Sequence, residues 1–150
     1  MDTTHIACTA EDLISYKLQR SDLLVAKPKF DRDGADLLAF MSVSEGMKFC
    51  RIQCKGRSLQ KSDSSNVEVF KNYVTDAFIL LLYVDNGNEE KINLFCFFSD
   101  EIKSKWKLRT FKNSMKDYYR LSFSKKVFNN ENKKGNLIEY ALDDKKNRKD

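Results

Sequence analysis

The run Ala77-Phe-Ile-Leu-Leu-Leu-Tyr-Val constrains this chain more than any other segment. It is nearly all apolar, so a strand built from it offers neither face to water. Asp85-Asn-Gly-Asn follows, with Asn86-Gly87 a strong hairpin-turn dipeptide, and Ile92-Asn-Leu-Phe-Cys-Phe-Phe returns. The pattern predicts a hairpin in the buried middle of a sheet. With 150 residues, 41% hydrophobic and 12% aromatic, the chain has the size and the apolar content for one domain around one core.

Elements of both kinds surround that hairpin. Thr9-Ala-Glu-Asp12 reads as a capping box for a helix from Ala10 to Arg20, with Leu13, Ile14 and Leu18 at helical spacing. Leu23 to Lys27 predicts a brief strand ended by Pro28, the only proline. Asp36 to Met41 begins a second strand, Ser44-Glu-Gly turns, and Lys48 to Lys55 forms a third, a hairpin. The polar stretch Leu59 to Asn66 predicts a loop, and Val67 to Phe70 a short edge strand. Ser99 is placed to cap a second helix, with Asp100 and Glu101 in its first turn and Ile102 and Trp106 on one face. Tyr119 to Phe123 reads as a late strand, and Asn129 to Leu142 as a loop and short helix. The charged residues 143–150 read as a disordered tail behind a single domain spanning 1–142.

Several functions are disfavoured. No stretch of eighteen uncharged apolar residues occurs, and the first ten residues have neither a basic nor an apolar signal region, so a cytoplasmic protein with no membrane segment is expected. Cys8, Cys50, Cys54 and Cys96 form no CxxC pair, which argues against a zinc ribbon or a dithiol redox site and fits free thiols. The lone histidine, His5, is poorly placed to serve a serine or cysteine nucleophile.

One constellation carries chemistry. Along Arg51-Ile-Gln-Cys-Lys-Gly the side chains alternate, so Gln53 and Lys55 project together while Cys50, Ile52 and Cys54 point into the core. Antiparallel pairing with the strand that begins at Asp36 brings its carboxylate beside them. Phosphodiester cleavage needs such a set: hard oxygen donors for Mg²⁺, and a cation to serve the attacking water. Asp36, the Gln53 carbonyl and the Cys54 backbone carbonyl are candidate metal ligands, Lys55 the catalytic cation, and Glu11 on the first helix an extra carboxylate. An Asp at a strand start is also a common turn residue, and Glu11 fits an ordinary surface position.

The order of these motifs, a helix bearing Glu11, then Gly34-Ala-Asp36-Leu-Leu, a turn, and Arg51-Ile-Gln53-Cys-Lys55-Gly, resembles the PD-(D/E)XK nuclease superfamily. The likeness is to the subgroup whose third motif reads Q-x-K, which includes a bacterial intron-encoded homing endonuclease. It spans roughly residues 10 to 106, extending through Tyr73 to Asp85 and Phe97 to Ile102. The resemblance implies a restriction-endonuclease-like α/β fold, a mixed central sheet flanked by helices, and Mg²⁺- or Mn²⁺-dependent hydrolysis of DNA. Ala35 and Gln53 depart from the pattern, and Gln53 removes a negative charge, leaving Asp36 and Glu11 as the anionic ligands.

The net charge of +5 is unevenly distributed: residues 103–126 carry +8, while 1–50 and 51–102 each carry −2. Lys103, Lys105, Lys107, Arg109, Lys112 and Lys116, with Arg57, are the candidate phosphate contacts, interleaved with aromatics that anchor the segment or stack on a base. Cutting both strands of DNA calls for a homodimer or higher oligomer. Two alternatives remain: a nuclease-fold protein that binds nucleic acid without cutting, and an oligomerisation module built on the edge of the Ala77 to Phe98 hairpin.

Overall fold

The computed structural model describes residues 4–20, 23–29, 34–60, 64–85 and 94–124. The order of elements is α1 (Thr4–Arg20), β1 (Leu24–Ala26), β2 (Leu37–Val43), β3 (Gly46–Ser58), β4 (Ser64–Phe70), a 3-10 turn (Lys71–Tyr73), β5 (Phe78–Asp85), β6 (Leu94–Phe98), α2 (Ser99–Lys105), β7 (Lys107–Thr110) and β8 (Asp117–Ser124). The fold is mixed α/β, as the sequence predicts. A five-stranded sheet runs β1-β2-β3-β5-β6, and a three-stranded sheet runs β4-β8-β7.

β5 shows why its sequence is apolar from Phe78 to Leu82. Ile79 and Leu81 pack with Ile14 and Leu18 of α1, together with Leu37, Ala39, Ile52, Leu94 and Cys96. On the opposite face Leu80, Leu82 and Val84 meet Val67 and Val69 of β4, Tyr119 and Phe123 of β8, and Ile102 and Trp106. A strand sealed on both faces has no position left for a polar residue. In hydrogen-bonding order β5 is internal, but its partner β6 is the edge, covered over its faces only.

β3 is the pivot of the large sheet. Its first half pairs antiparallel with β2, ending at Leu37 opposite Ile52, and its second half pairs parallel with β5, from Arg51 opposite Phe78 to Ser58 opposite Asp85. Beyond Ile52, therefore, β3 keeps a strand neighbour on the β5 side while β2 has ended. The sheet forks there, and Asp36 and Gly34 lie at the fork.

Some expectations are corrected. α1 begins at Thr4, so Thr9 and Asp12 lie inside the helix instead of capping it; no glycine or proline stands between Thr4 and Ala10 to stop the helix earlier. α2 is capped one residue earlier than expected: Ser99 is helical, and Glu101 Oε1 accepts from the Phe98 amide at 3.0 Å. β7 and the second sheet were not legible, because Lys107 to Thr110 is exposed along its length and carries no apolar alternation. The second sheet also means that helices flank only part of the large sheet: α1 covers one face, while β4, β8 and α2 share the other. The Asn86-Gly87 turn, the helix before Leu142 and the charged tail lie outside the described residues. Among the described residues no helix is long and apolar enough to cross a membrane.

Leu81 is fully buried against α1, so Leu81→Ala should lower unfolding free energy by about 3 kcal/mol, whereas Leu24→Ala, at a residue 63% exposed, should cost under about 0.5 kcal/mol. Urea unfolding followed by circular dichroism measures both.

Candidate functional site

At the fork the backbone fixes Asp36 around Gln53. The Asp36 amide donates to the Ile52 carbonyl at 2.9 Å, and Asp36 Oδ2 accepts from the Cys54 amide at 2.8 Å. Asp36 is thus tied to the residues on either side of Gln53. Its carboxylate is held by a main-chain donor.

Gln53 and Lys55 share a face of β3 and line one cavity of about 240 Å³, together with Gly34, Glu68, Val69, Phe70, Tyr73, Phe111 and Tyr118. Gln53 Oε1 is buried and accepts no hydrogen bond from the described residues. A buried acceptor without a donor is unusual.

The floor of the cavity is set by a close approach. Gly34 has φ +75°, and a Cβ there would lie 2.6 Å from a Tyr73 ring carbon, so any side chain would strain the backbone and displace the ring. Tyr73 is held in turn by Arg51, whose guanidinium donates to the Tyr73 carbonyl at 3.3 Å and to the Thr75 hydroxyl, and lies over the Phe78 ring. Phe70 packs edge-on to Tyr73 and Phe111, and Phe111 stacks on Tyr118 with centroids 4.1 Å apart.

Glu11 is ion-paired at 2.7 Å with Lys27, and it acts together with Asp36 on Cys54, whose side chain faces α1, opposite to Gln53 and Lys55. Burial first, then the charges of Asp36 and Glu11, push the Cys54 thiol well above its usual range, while Lys27 opposes them. Cys54 therefore stays a neutral thiol, and only its backbone carbonyl is suited to a hard cation. Cys50, Cys54 and Cys96 are thiols, not halves of disulfides. Among the described residues no three His, Cys, Asp or Glu side chains gather as a metal cluster. A cation here would have to draw on amide and carbonyl oxygens beside Asp36, which is the donor chemistry Gln53 and Cys54 offer.

The basic segment turns out to adjoin this cavity. β7 and β8 form a hairpin closed by Phe111 N–H donating to Lys116 O at 2.9 Å, and Phe111 and Tyr118 from it line the cavity. Register places Glu68, Arg120 and Lys107 in one row and Phe70, Tyr118 and Arg109 in the next, all on the outer face of the small sheet. Lys116 lies over the Phe70 ring, and Lys112 is exposed in the turn between β7 and β8. Lys103 and Lys105 are exposed on α2. Arg57 differs from these: its guanidinium donates to the Asn66 and Gly56 carbonyls at 2.9 and 2.7 Å, joining β3 to β4. Burial lowers its pKa and the Glu68 carboxylate raises it.

Glu68, the one carboxylate among the lining residues, escaped the sequence reading. The alternation Val67-Glu-Val-Phe marks Glu68 as facing away from the core, but only the pairing of β4 with β8 sets it beside Lys55 and Gln53.

No protein-family model matches the chain, and no curated protein sequence matches it. In fold the chain is similar to a bacterial homing endonuclease, I-Ssp6803I, with a TM-score of 0.54, 18% identity, and coverage of 93% of this chain and 86% of that one. The architecture is thus nuclease-like.

Gly34→Ala should destabilise the protein by about 2 kcal/mol, because it combines left-handed backbone strain with a ring displaced at the cavity floor. A lowered midpoint in a thermal melt checks this.

Proposed function

We propose that this protein is a metal-dependent endonuclease that hydrolyses phosphodiester bonds of DNA. The observation that carries the reading is the convergence at the fork of β2 and β3: a carboxylate fixed by the chain, an amide oxygen without a donor, and an ammonium group in the wall of the same cavity. The fold likeness to a homing endonuclease supports it.

Asp36, the Gln53 carbonyl and the Cys54 backbone carbonyl would hold Mg²⁺, or Mn²⁺ in its place. Bound there, the ion would supply positive charge to polarise the scissile phosphate. Lys55 holds the attacking water by hydrogen bond and offsets the charge gathering on the phosphate oxygens. The outer face of the small sheet, through Lys107, Arg109 and Arg120, carries the phosphate backbone toward the cavity. Glu11, paired with Lys27 and acting with Asp36 on Cys54, is the further carboxylate such a site could draw on. Cleavage of both strands takes two such sites, so a homodimer or higher oligomer is expected.

The rival reading is a nuclease-fold protein that binds DNA without cutting it, favoured by the neutral Gln53 and the absence of an acidic cluster among the described residues. Incubation with Mg²⁺ or Mn²⁺ and duplex, branched or single-stranded DNA separates the two. Lys55→Ala should lower cleavage by about 10²-fold or more while leaving DNA binding in Ca²⁺ intact. Identical behaviour of wild type and Lys55→Ala across metals and DNA forms would remove the catalytic claim.

Lys107→Ala and Arg109→Ala should each weaken DNA binding to a similar degree on every sequence and reduce the slope of log affinity against log salt by about 1. Fluorescence anisotropy at several salt concentrations measures both effects.

A further inference from the structure

The cavity beside β3 has a lining that fits a flat, neutral molecule better than an ion. It carries one ammonium group, Lys55, and one carboxylate, Glu68, so its charges balance, and Phe70, Tyr73, Phe111 and Tyr118 supply aromatic rings. Glu68 is further offset by Arg120, whose Nη2 lies 3.5 Å from Oε2, and by Arg57, which feels the same carboxylate. At about 240 Å³ the space is smaller than the roughly 300 Å³ at which sites for drug-sized ligands begin, which suits a single ring system.

The polar atoms decide what edge that ring must have. Gln53 Oε1 on β3 and Glu68 Oε2 on β4 are buried acceptors with no hydrogen-bond donor among the described residues, and both residues line the space. Arg120 stands at the far limit of a hydrogen bond, so Glu68 Oε2 can still accept one. Acceptors kept from water without donors cost free energy, and a ligand that brings N–H groups recovers it. The aromatic rings decide what faces it must have. Phe111 stacks on Tyr118 with centroids 4.1 Å apart yet remains 37% exposed, so the stack reaches the surface at the hairpin that carries Lys107 and Arg109. A ring with stacking faces and an N–H edge, arriving on a phosphate chain, is a nucleobase.

We propose that the cavity is a pocket for one unpaired base of a DNA strand, stacked at Phe111 and donating from an exocyclic amino group to Gln53 Oε1 and Glu68 Oε2. Adenine, cytosine and guanine carry that group, and thymine does not. The inference rests on the reading of DNA as the ligand but not on a metal: Asp36 is not used, and Gln53 Oε1 has two lone pairs, so accepting from a base leaves one for the fork. Lys55 lines the same space, so a base seated here draws its strand toward the ammonium group proposed to serve the attacking water.

Anisotropy titration of the full chain in EDTA, against labelled thymine oligonucleotides of one length whose central base is adenine, cytosine, guanine or thymine, tests this apart from cleavage. The wild type should bind the strands with an amino base about fivefold or more tightly than the all-thymine strand. Glu68→Gln should bring the affinities together. The ratio between strands is the readout, because removing a negative charge raises affinity for all of them alike. If Glu68→Gln fails to fold by circular dichroism, Gln53→Met carries the same test, since it keeps the length of the side chain and removes the acceptor. Phe111→Leu, which keeps apolar bulk and removes the aromatic face, should weaken binding of the amino-base strands by about fivefold or more.

Equal affinity of the wild type for every strand, a preference that survives loss of the acceptor, or full affinity in Phe111→Leu would overturn the pocket while leaving DNA as the ligand. Failure of the wild type to bind any strand or duplex, in EDTA or in Ca²⁺, would overturn the DNA reading and this proposal with it.

Discussion

β5 lies between β3 and β6 with α1 on one face and the small sheet on the other, and its parallel pairing with β3 decides where everything else can go. A parallel pair needs a crossover, and the crossover here contains β4, which then lies against the outer side of the large sheet and recruits β8 and β7. Because β5 occupies the second half of β3, and β2 pairs only with the first, the strand carries Gln53 and Lys55 past the end of β2 with one side of its backbone open. The site is thus a consequence of register. Had β2 run two residues further along β3, a ladder would have used the Cys54 amide that instead fixes the Asp36 carboxylate.

The same arrangement explains why the cavity is polar on one wall and aromatic on the other. Gln53 and Lys55 lie on the face of β3 that, one strand over, is continued by Phe78, Leu80 and Leu82. Under β5 that face is sealed by Val67, Val69, Tyr119 and Phe123; under β3 the edge of the small sheet ends, and Glu68, Phe70 and Tyr118 from its outer face border the gap. Positions that would be core one strand away are left in contact with a cavity, which is where polar residues with chemical work can be kept.

How much was legible depends on whether the signal was local. The placement of Asp36 beside the Gln53 segment, and of Gln53 and Lys55 on one face, was readable because a hairpin with a short turn fixes its own register and side chains alternate along β3. The double burial of β5 was readable from its composition. The small sheet was not, because β4 pairs with β8, some fifty residues away, and β7 is exposed along its length. Glu68 was invisible for that reason, and so was the position of the basic segment, which the sequence could describe as a charge run but not as one face of a sheet bordering the cavity. Arg57 illustrates the converse: among cations it reads as one more phosphate contact, yet burial and two carbonyl acceptors make it a tie between β3 and β4.

That tie bears on how the two sheets work together. Arg57 joins β3 to β4 at Asn66, and Arg51 joins β3 to the turn after β4 at Tyr73 and Thr75, so β4 is fastened at both ends, with Glu68 midway. Both ties use guanidinium groups donating to chain oxygens, a rigid geometry that lysine would not reproduce. Between them the cavity is held open by Gly34 against Tyr73, where any side chain would displace the ring. The edges of the cavity beside Gln53 and Lys55 are therefore set by the chain itself. Preorganisation of this kind would suit the proposed chemistry on a phosphate, because donors and cations held in place by the chain need not be reordered when charge develops.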